Sequence, residues 1–222
     1  MQFSDVLASS VHDIKNSLAM VINSVDTLLQ DPQTRIGDPH KATVLQQEAQ
    51  RANNNLIQLL SLYKLEREQL APNIVEQNVD EFLEEICAEN AALTTALGVA
   101  LESDCEDMLT GYFDDNLVRG VVNSTIGNAQ RYTADRILLS ATEEDGYLVL
   151  RIEDNGRGYP AEMLENTDRQ QVSDAFSSGR TQLGLLFASE IAHLHTSGER
   201  HGFIRLRNGH TLGGGCFELW LP

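Results

Sequence analysis

The strongest constraint on the fold is a change in the spacing of apolar residues near position 71. Before this point, two stretches repeat apolar residues at alternating intervals of three and four, which is typical of the buried seam of a coiled-coil-like helix. The first stretch comprises Leu7, Val11, Ile14, Leu18, Val21, Val25 and Leu28, and the second Leu45, Ala49, Ala52, Leu56, Leu59 and Tyr63. Asp38 followed by Pro39 marks the start of the second helix, because aspartate caps helices and proline suits their first turn.

Two long helices with one short connection predict a helical hairpin over residues 1–70. A single hairpin leaves its apolar seam uncovered, and pairing with a second copy into a four-helix bundle covers that seam. We therefore expect a homodimer. The alternative is a two-helix arm that packs against the globular part of its own chain.

After Ala71-Pro72-Asn73 the periodicity becomes mixed, so we expect residues 73–222 to form a separate α/β domain. Helical spacing occurs in residues 79–97, 115–132 and 183–194, and strand-like spacing in residues 99–101, 108–113, 137–141, 147–153, 203–207 and 216–221. Glu144-Asp145-Gly146 predicts a hairpin turn between two of these strands. Strands interleaved with helices on one face of a sheet predict a two-layer sandwich.

Composition excludes several classes of function. With 16 basic and 33 acidic residues the formal net charge is −17, which argues against a nucleic acid or an anionic membrane as partner. The sequence has no long apolar run and no secretion signal, so we expect a cytoplasmic location without direct membrane insertion. Few residues precede Ser4, so sensory input is expected from a separate sensor protein or from a sensor domain outside this sequence.

The three cysteines, Cys87, Cys105 and Cys216, lie far apart and show no CxxC spacing. This pattern favours reduced thiols over a disulfide framework or a zinc site. We expect all three to be ordinary packing residues.

The first chemical motif is the string His12-Asp13-Ile14-Lys15-Asn16 in the first predicted helix. If Val11 and Ile14 belong to the seam, His12 points outward and Asn16 lies one turn further along the same face. A carboxylate beside an imidazole can accept one ring proton and leave the other nitrogen nucleophilic toward a phosphoryl group. The simpler interpretation is a solvated helix face.

The second motif, Asp154-Asn155-Gly156-Arg157-Gly158, follows directly on a predicted strand. A carboxylate at a strand end can accept a hydrogen bond from an adenine amino group, and two nearby glycines let the backbone approach a flat base. Taken alone, the same residues are also typical of a tight turn.

The third motif lies on the helix predicted for residues 115–132. The amide oxygen of Asn128 can ligate Mg²⁺, Arg131 can meet a phosphate, and Tyr132 can pack against a base. The alternative is a helix C-terminus that carries ordinary polar residues.

The order of these motifs resembles the histidine kinase family from end to end. After the DNGRG strand end come Thr181-Gln182-Leu183-Gly184-Leu185, which open a helix, and Gly213-Gly214-Gly215, which precede the last strand. The resemblance implies a dimerisation and histidine-phosphotransfer hairpin over residues 1–70. It also implies a catalytic ATP-binding domain of the Hsp90-like type over residues 73–222.

By the same resemblance, the chain is an ATP-dependent protein-histidine kinase of a two-component system, with the receiver domain of a response regulator as partner. His12 is the implied phosphorylated residue, Asp13 its acid/base partner, and Asn16 the residue that positions water for dephosphorylation. The implied cofactors are ATP and Mg²⁺, with Asn128 as the metal ligand. The implied nucleotide site comprises Asn128, Arg131, Tyr132, Asp154, Gly156, Gly158, Arg180, Thr181, Leu183 and Gly184.

Four features depart from the family pattern, one of them Ser17 in place of the proline that is usual five residues after the phosphorylated histidine. A second asparagine is usual four residues before the metal ligand, but Ser124 stands there and Asn123 is one position away. The second glycine-rich segment begins Arg180-Thr181-Gln182 and keeps only Gly184. The segment over residues 159–179 is short for a nucleotide lid and offers Phe176 as its phenylalanine.

These departures keep two alternatives to the kinase open. One is a histidine phosphotransfer protein whose ATP-binding domain is degenerate. The other is a non-kinase ATPase of the same nucleotide-binding class, which the His12 string disfavours.

Overall fold

The computed structural model describes residues 14, 16, 18–25, 27, 39–164, 172 and 183–222. The chain divides into two compact units, residues 1–70 and residues 71–222. None of the described helices combines the length and the apolarity needed to cross a lipid bilayer.

The first unit is helical in the segments that the structure describes. Residues 18–25 belong to helix α1, and helix α2 spans Pro39–Glu66. Among the predicted seam residues of α2, Ala49 is buried, whereas Leu45 and Leu59 are 55% and 44% exposed. The apolar surface of α2 is therefore only partly covered within a single chain.

The second unit is an α/β sandwich built on a five-stranded sheet. Its elements in chain order are β1 (Val75–Asn78), α3 (Val79–Ala96), β2 (Ala100–Cys105), β3 (Thr110–Phe113), α4 (Asp115–Tyr132), β4 (Arg136–Glu144), β5 (Tyr147–Asp154), α5 (Ala161–Leu164), α6 (Leu183–Leu194), β6 (Thr196–Ser197), β7 (Arg200–His201), β8 (Phe203–Asn208) and β9 (Gly215–Leu221). The main sheet has the strand order β2-β4-β5-β9-β8. In it β2 pairs parallel with β4, and the other neighbours pair antiparallel.

Helices α3, α4 and α6 pack next to one another against the main sheet. Because side chains alternate between the two faces of a strand, the core is built from every second residue of the central strands. Leu139 of β4, Leu150 of β5 and Leu219 of β9 are fully buried, and Leu150 and Leu219 are register partners. Val122 and Ile126 of α4 are fully buried as well. Each such side chain contributes about 1.5–3 kcal/mol through its removal from water.

The N-terminus of α4 is held by a cap that also involves a buried histidine. Asp114 accepts the N–H of Leu117 at Oδ1 (3.0 Å) and the N–H of Asn73 at Oδ2 (2.7 Å). Its own N–H donates to Nε2 of His195 over 3.1 Å, and Nδ1 of His195 lies 2.8 Å from the carbonyl oxygen of Ile191. These two contacts select the neutral tautomer protonated at Nδ1, and burial lowers the pKa of His195.

The opposite face of the main sheet carries a buried ionic cluster. Glu218 of β9 is fully buried, and its Oε1 lies 3.4 Å from Nε of Arg151 and 3.2 Å from Nε of Arg207. Its Oε2 accepts the indole N–H of Trp220 over 3.0 Å. A buried carboxylate is costly unless it is paired and hydrogen-bonded, and these partners meet that requirement.

The predicted α/β class of the second unit is confirmed, and helices α4 and α6 begin and end at the predicted residues. The predicted hairpin of β4 and β5 is confirmed, with Asp145 and Gly146 of its turn at φ 52° and 73°. No periodicity marks β1, which pairs with β3 more than 30 positions along the chain. A four-residue strand of this kind is too short for a local pattern and exists because its partner is close in space.

Candidate functional site

A cavity of about 240 Å³ opens between helix α4 and the turn that follows β5. Helices α5 and α6, strand β9 and Pro160 contribute further lining residues. The lining comprises Ser124, Thr125, Asn128, Ala129, Tyr132, Asp154, Arg157, Gly158, Tyr159, Pro160, Met163, Gly184, Leu185 and Phe217. Apolar walls with a few convergent polar groups are typical of a small-molecule site.

Asp154, the last residue of β5, holds its carboxylate against closely packed backbone and is only 7% exposed. The N–H of Gly156 donates to its Oδ1 over 2.7 Å. A Cβ atom on Gly215 would lie 2.8 Å from its Oδ2, and a Cβ atom on Gly156 would overlap the carbonyl oxygen of Tyr132. Glycine is therefore required at position 156, and glycine at position 215 lets the backbone approach the carboxylate without displacing it.

Asn155 ties the end of α4 to this turn. Its Oδ1 accepts hydrogen bonds of 2.8–3.2 Å from the hydroxyl of Thr133 and from the N–H groups of Ala134, Asp135 and Arg136. Its Nδ2 donates to Oδ1 of Asp135 over 2.7 Å. Asn155 thus positions its neighbour Asp154, a role that the DNGRG pattern by itself does not predict.

Gly158 and Tyr159 complete the turn with the help of Asn208 from β8. Gly158 has φ 77°, a conformation that favours glycine. Oδ1 of Asn208 accepts the N–H of Tyr159 over 2.7 Å, and its Nδ2 donates to the carbonyl of Tyr159 over 2.9 Å. Burial, followed by the nearby carboxylate of Asp154, raises the pKa of the Tyr159 phenol, which is therefore neutral.

The wall formed by α4 presents Ser124 and Asn128 to the cavity. Asn123, one position away, contacts α3 instead, because its Oδ1 accepts the side-chain N–H of Asn90 over 2.8 Å. The asparagine missing at position 124 is therefore not replaced by its neighbour. A serine hydroxyl stands in its place.

Two arginines lie close to the ring of Tyr132 at the end of α4. The guanidinium of Arg157 is 5.4 Å from its ring centroid and that of Arg131 is 5.9 Å away, both within the range of cation–π attraction. Arg157 lines the cavity, a placement that the sequence pattern does not predict. Arg131 is exposed and, together with Gly156 and Leu183, is not part of the described lining.

The remaining predicted site residues are distributed as follows. Gly184 lines the cavity near the start of α6. Asn16 is helical and exposed in the first unit. His12, Asp13, Arg180, Thr181 and the predicted lid residue Phe176 lie outside the described residues.

The described residues fit the chemistry of an adenine nucleotide. Asp154 supplies a fixed acceptor for an amino group, the glycines leave room for a flat base, and the aromatic ring of Tyr132 lies at the same edge. Asn128 and Ser124 add neutral oxygens of the kind that Mg²⁺ accepts as ligands. Arg157 adds a positive charge to the cavity lining, which suits the phosphate groups of a nucleotide in a chain that is otherwise strongly acidic.

Comparison with known proteins agrees with this chemistry. Residues 113–222 match the family described as "Histidine kinase-, DNA gyrase B-, and HSP90-like ATPase". Among curated proteins, the signal transduction histidine-protein kinase AfsQ2 of Streptomyces coelicolor is 29% identical over 55% of this chain, and the two-component sensor PhoQ of Pseudomonas aeruginosa is 26% identical over 96% of it. The chain spans only 22% and 45% of the lengths of those two proteins.

Among solved structures, the Acinetobacter baumannii histidine kinase AdeS is similar in fold, with a TM-score of 0.60 and 18% sequence identity. The likeness covers 95% of this chain and 96% of that one.

Proposed function

We propose that this chain is the catalytic core of a two-component histidine kinase. Its residues 113–222 belong to the family of histidine kinase-, DNA gyrase B- and HSP90-like ATPases. They form an ATP-binding catalytic domain of the sensor histidine kinase type. It transfers the terminal phosphoryl group of ATP to His12 and then to an aspartate of a response-regulator receiver domain. The observation that carries the proposal is the carboxylate of Asp154, which a hydrogen bond from Gly156 fixes in the wall of a cavity that Asn128 also lines.

In this proposal each side of the cavity binds one part of the nucleotide. Asp154 accepts the adenine amino group, Gly156 and Gly158 give the backbone room beside the base, and Tyr132 packs near it. Asn128 ligates Mg²⁺, which when bound neutralises charge on the phosphates. Arg180, Thr181, Leu183 and Gly184 serve the phosphates at the start of α6, with Arg131 and Arg157 as further cations.

The proposed chemical step uses residues of the first unit. One ring nitrogen of His12 attacks the terminal phosphorus of ATP, a nitrogen–phosphorus bond forms, and the bond to the bridging oxygen breaks to release ADP. Asp13 accepts the proton from the other ring nitrogen, which keeps the attacking nitrogen nucleophilic. The phosphoryl group then passes to a carboxylate oxygen of the receiver domain, and His12 is regenerated.

The domain boundaries and the assembly are part of the proposal. Residues 1–70 form the dimerisation and phosphotransfer hairpin, and residues 73–222 form the catalytic domain. The exposed apolar residues Leu45 and Leu59 of α2 support a homodimer, because a four-helix bundle of two copies covers them. The proposal also includes a cytoplasmic location and a sensor, either as a separate protein or as an additional domain.

A second candidate is a histidine phosphotransfer protein whose ATP-binding domain is degenerate. The specific observation that favours it is the α4 wall, where Ser124 lines the cavity and Asn123 is hydrogen-bonded to Asn90. Such a wall offers one fewer amide for metal and phosphate. Intact Asp154, Gly156, Gly158 and Asn128 favour the kinase.

One experiment tests the kinase and separates it from both alternatives. The purified chain is incubated with Mg²⁺ and ATP labelled in its terminal phosphate, and protein-bound label is tested for the acid lability and base stability of phosphohistidine. We expect the parent to take up label and the His12→Gln variant to take up none while still binding ATP. His201→Gln, which changes an exposed histidine of the second unit, is the matched control and should keep full uptake.

The other possible outcomes either support one of the two alternatives or contradict the proposed role of His12. ATP binding without any label supports the ATPase alternative, and absence of both supports the degenerate phosphotransfer protein. Label that persists on His12→Gln would remove His12 from its proposed role.

A further inference from the structure

A second cluster of reactive side chains lies on the face of the main sheet that carries the ionic cluster of Glu218. Glu153 of β5 and Cys216 of β9 are register partners on neighbouring strands. His210, in the loop over residues 209–214 between β8 and β9, places its Nδ1 2.7 Å from Oε1 of Glu153. One ligand atom from each of the three residues falls within 4.8 Å of the other two.

These three groups form a typical ligand set for zinc. Thiolate sulfur, imidazole nitrogen and carboxylate oxygen bind Zn²⁺ at about 2.0–2.3 Å in tetrahedral geometry, often with water as the fourth ligand. Ligand atoms within 4.8 Å of one another are close enough for one ion to contact all three after side-chain adjustment. A carboxylate and a thiolate balance the two charges of such an ion, and the imidazole binds as a neutral ligand.

Two of the three cluster residues are buried, and the third, His210, is partly exposed to solvent. Glu153 and Cys216 are 1% and 0% exposed, whereas the side chain of His210 is 32% exposed. An ion can therefore enter past His210 and reach ligands that are shielded from water. The nearest arginine on the paired strand, Arg207, lies opposite Cys216 but is already paired with Glu218 over 3.2 Å.

The loop that carries His210 also supports the nucleotide cavity. The N–H of Gly214 donates to the carbonyl oxygen of Asp154 over 3.1 Å, and a Cβ atom on Gly214 would overlap that oxygen. Glu153 is directly followed by Asp154 in the chain. A bond from one ion to Glu153, Cys216 and His210 would fasten this loop to β5 directly behind the Asp154 turn.

We propose that Glu153, His210 and Cys216 bind one Zn²⁺ ion, which holds the loop over residues 209–214 against β5. This assignment gives Cys216 a further role beside the packing role that the sequence predicts. No CxxC spacing marks the site, because its ligands come from two strands and a loop that meet only in the folded sheet.

Direct metal binding tests the proposal without any nucleotide. The reduced, metal-free 222-residue chain is titrated with Zn²⁺ against a chromogenic chelator, and with Co²⁺ to detect thiolate-to-metal absorption. We expect one ion per chain and a sulfur-dependent Co²⁺ band. His210→Ala and Cys216→Ser should each weaken Zn²⁺ binding about 100-fold or more, since loss of even an outer-shell partner costs 10–100-fold.

Two control variants identify binding elsewhere. Cys87→Ser removes a thiol outside the cluster, and His201→Ala removes one ring of the stacked His193–His201 pair, whose centroids are 4.3 Å apart. Both should bind Zn²⁺ as the parent does. If Cys216→Ser proves unfolded by circular dichroism, His210→Ala decides, because its side chain is partly exposed.

Three results would overturn the site: no saturable binding by the parent, unchanged binding in His210→Ala, or loss of binding in His201→Ala. None of them bears on ATP binding or on phosphorylation of His12, which the experiment does not involve.

Discussion

The backbone of Gly156 passes so close to the carbonyl oxygen of Tyr132 that a Cβ atom at position 156 would overlap it. The contact joins the C-terminal end of α4 to the turn after β5, the two elements that bound the cavity. Its closeness makes the site sensitive to a single methyl group.

Gly156→Ala should therefore destabilise the second unit by about 2 kcal/mol or more, because the added methyl group can be placed only by moving backbone. Gly127→Ala is the matched control, since a Cβ atom there has no neighbour within 4 Å and alanine favours the helix by about 0.5–1 kcal/mol. Urea unfolding of both variants gives the comparison. Equal free energies of unfolding for the two variants would show that the turn after β5 can move at little cost in stability.

Asp154→Asn should weaken ATP binding about 10- to 100-fold, because the amide loses the charge that strengthens the hydrogen bond from the adenine amino group. Asp145→Asn makes the same chemical change at the exposed β4–β5 turn and should leave affinity unchanged. Equilibrium titration with a fluorescent ATP analogue measures both variants. Parent-like affinity in Asp154→Asn would separate the cavity from adenine recognition.

His195 should make stability depend on pH. Burial lowers its folded-state pKa, so below about pH 6.5, the usual value for histidine, the unfolded chain binds a proton that the folded chain resists. The contribution is complete above about pH 6.5 and is lost as the pH falls through the folded pKa, by up to about 1.4 kcal/mol per pH unit.

The measurement is the free energy of unfolding between pH 5 and pH 8 for the parent and for His195→Gln. The difference between the two curves isolates this residue from the other five histidines. It should shrink toward acid, since the variant has no imidazole to protonate. Parallel curves would mean that His195 titrates alike in both states.

Asn16→Ala should prolong the lifetime of the phosphorylated response regulator about tenfold or more, because the amide proposed to hold the attacking water is lost. Labelling of His12 should change little. Asn23→Ala, two turns along α1 and also exposed, is the matched control. Decay of purified phospho-regulator is followed beside an autophosphorylation time course. A collapse of His12 labelling would instead place Asn16 in the kinase step.

The sequence by itself predicts the features that depend on neighbours along the chain. Periodic apolar residues mark α4 and α6 to the residue, since a helix buries one continuous face. The position of Asp154 at a strand end is predicted in the same way, because the strand-like residues 147–153 lead directly to it and glycines follow at positions 156 and 158. The change of periodicity near residue 71 coincides with the division between the two compact units.

The tertiary structure decides which distant residues complete the site. Asn208 reaches Tyr159 across 49 positions, and His210 reaches Glu153 across 57, through contacts that form only when β8 and β9 join the sheet. The orientation of Asn123 toward Asn90, which leaves Ser124 to line the cavity, is set by the packing of α3 on α4. Local periodicity does not predict such pairs, because their interaction energy depends on the distance between atoms in space and not on their separation along the chain.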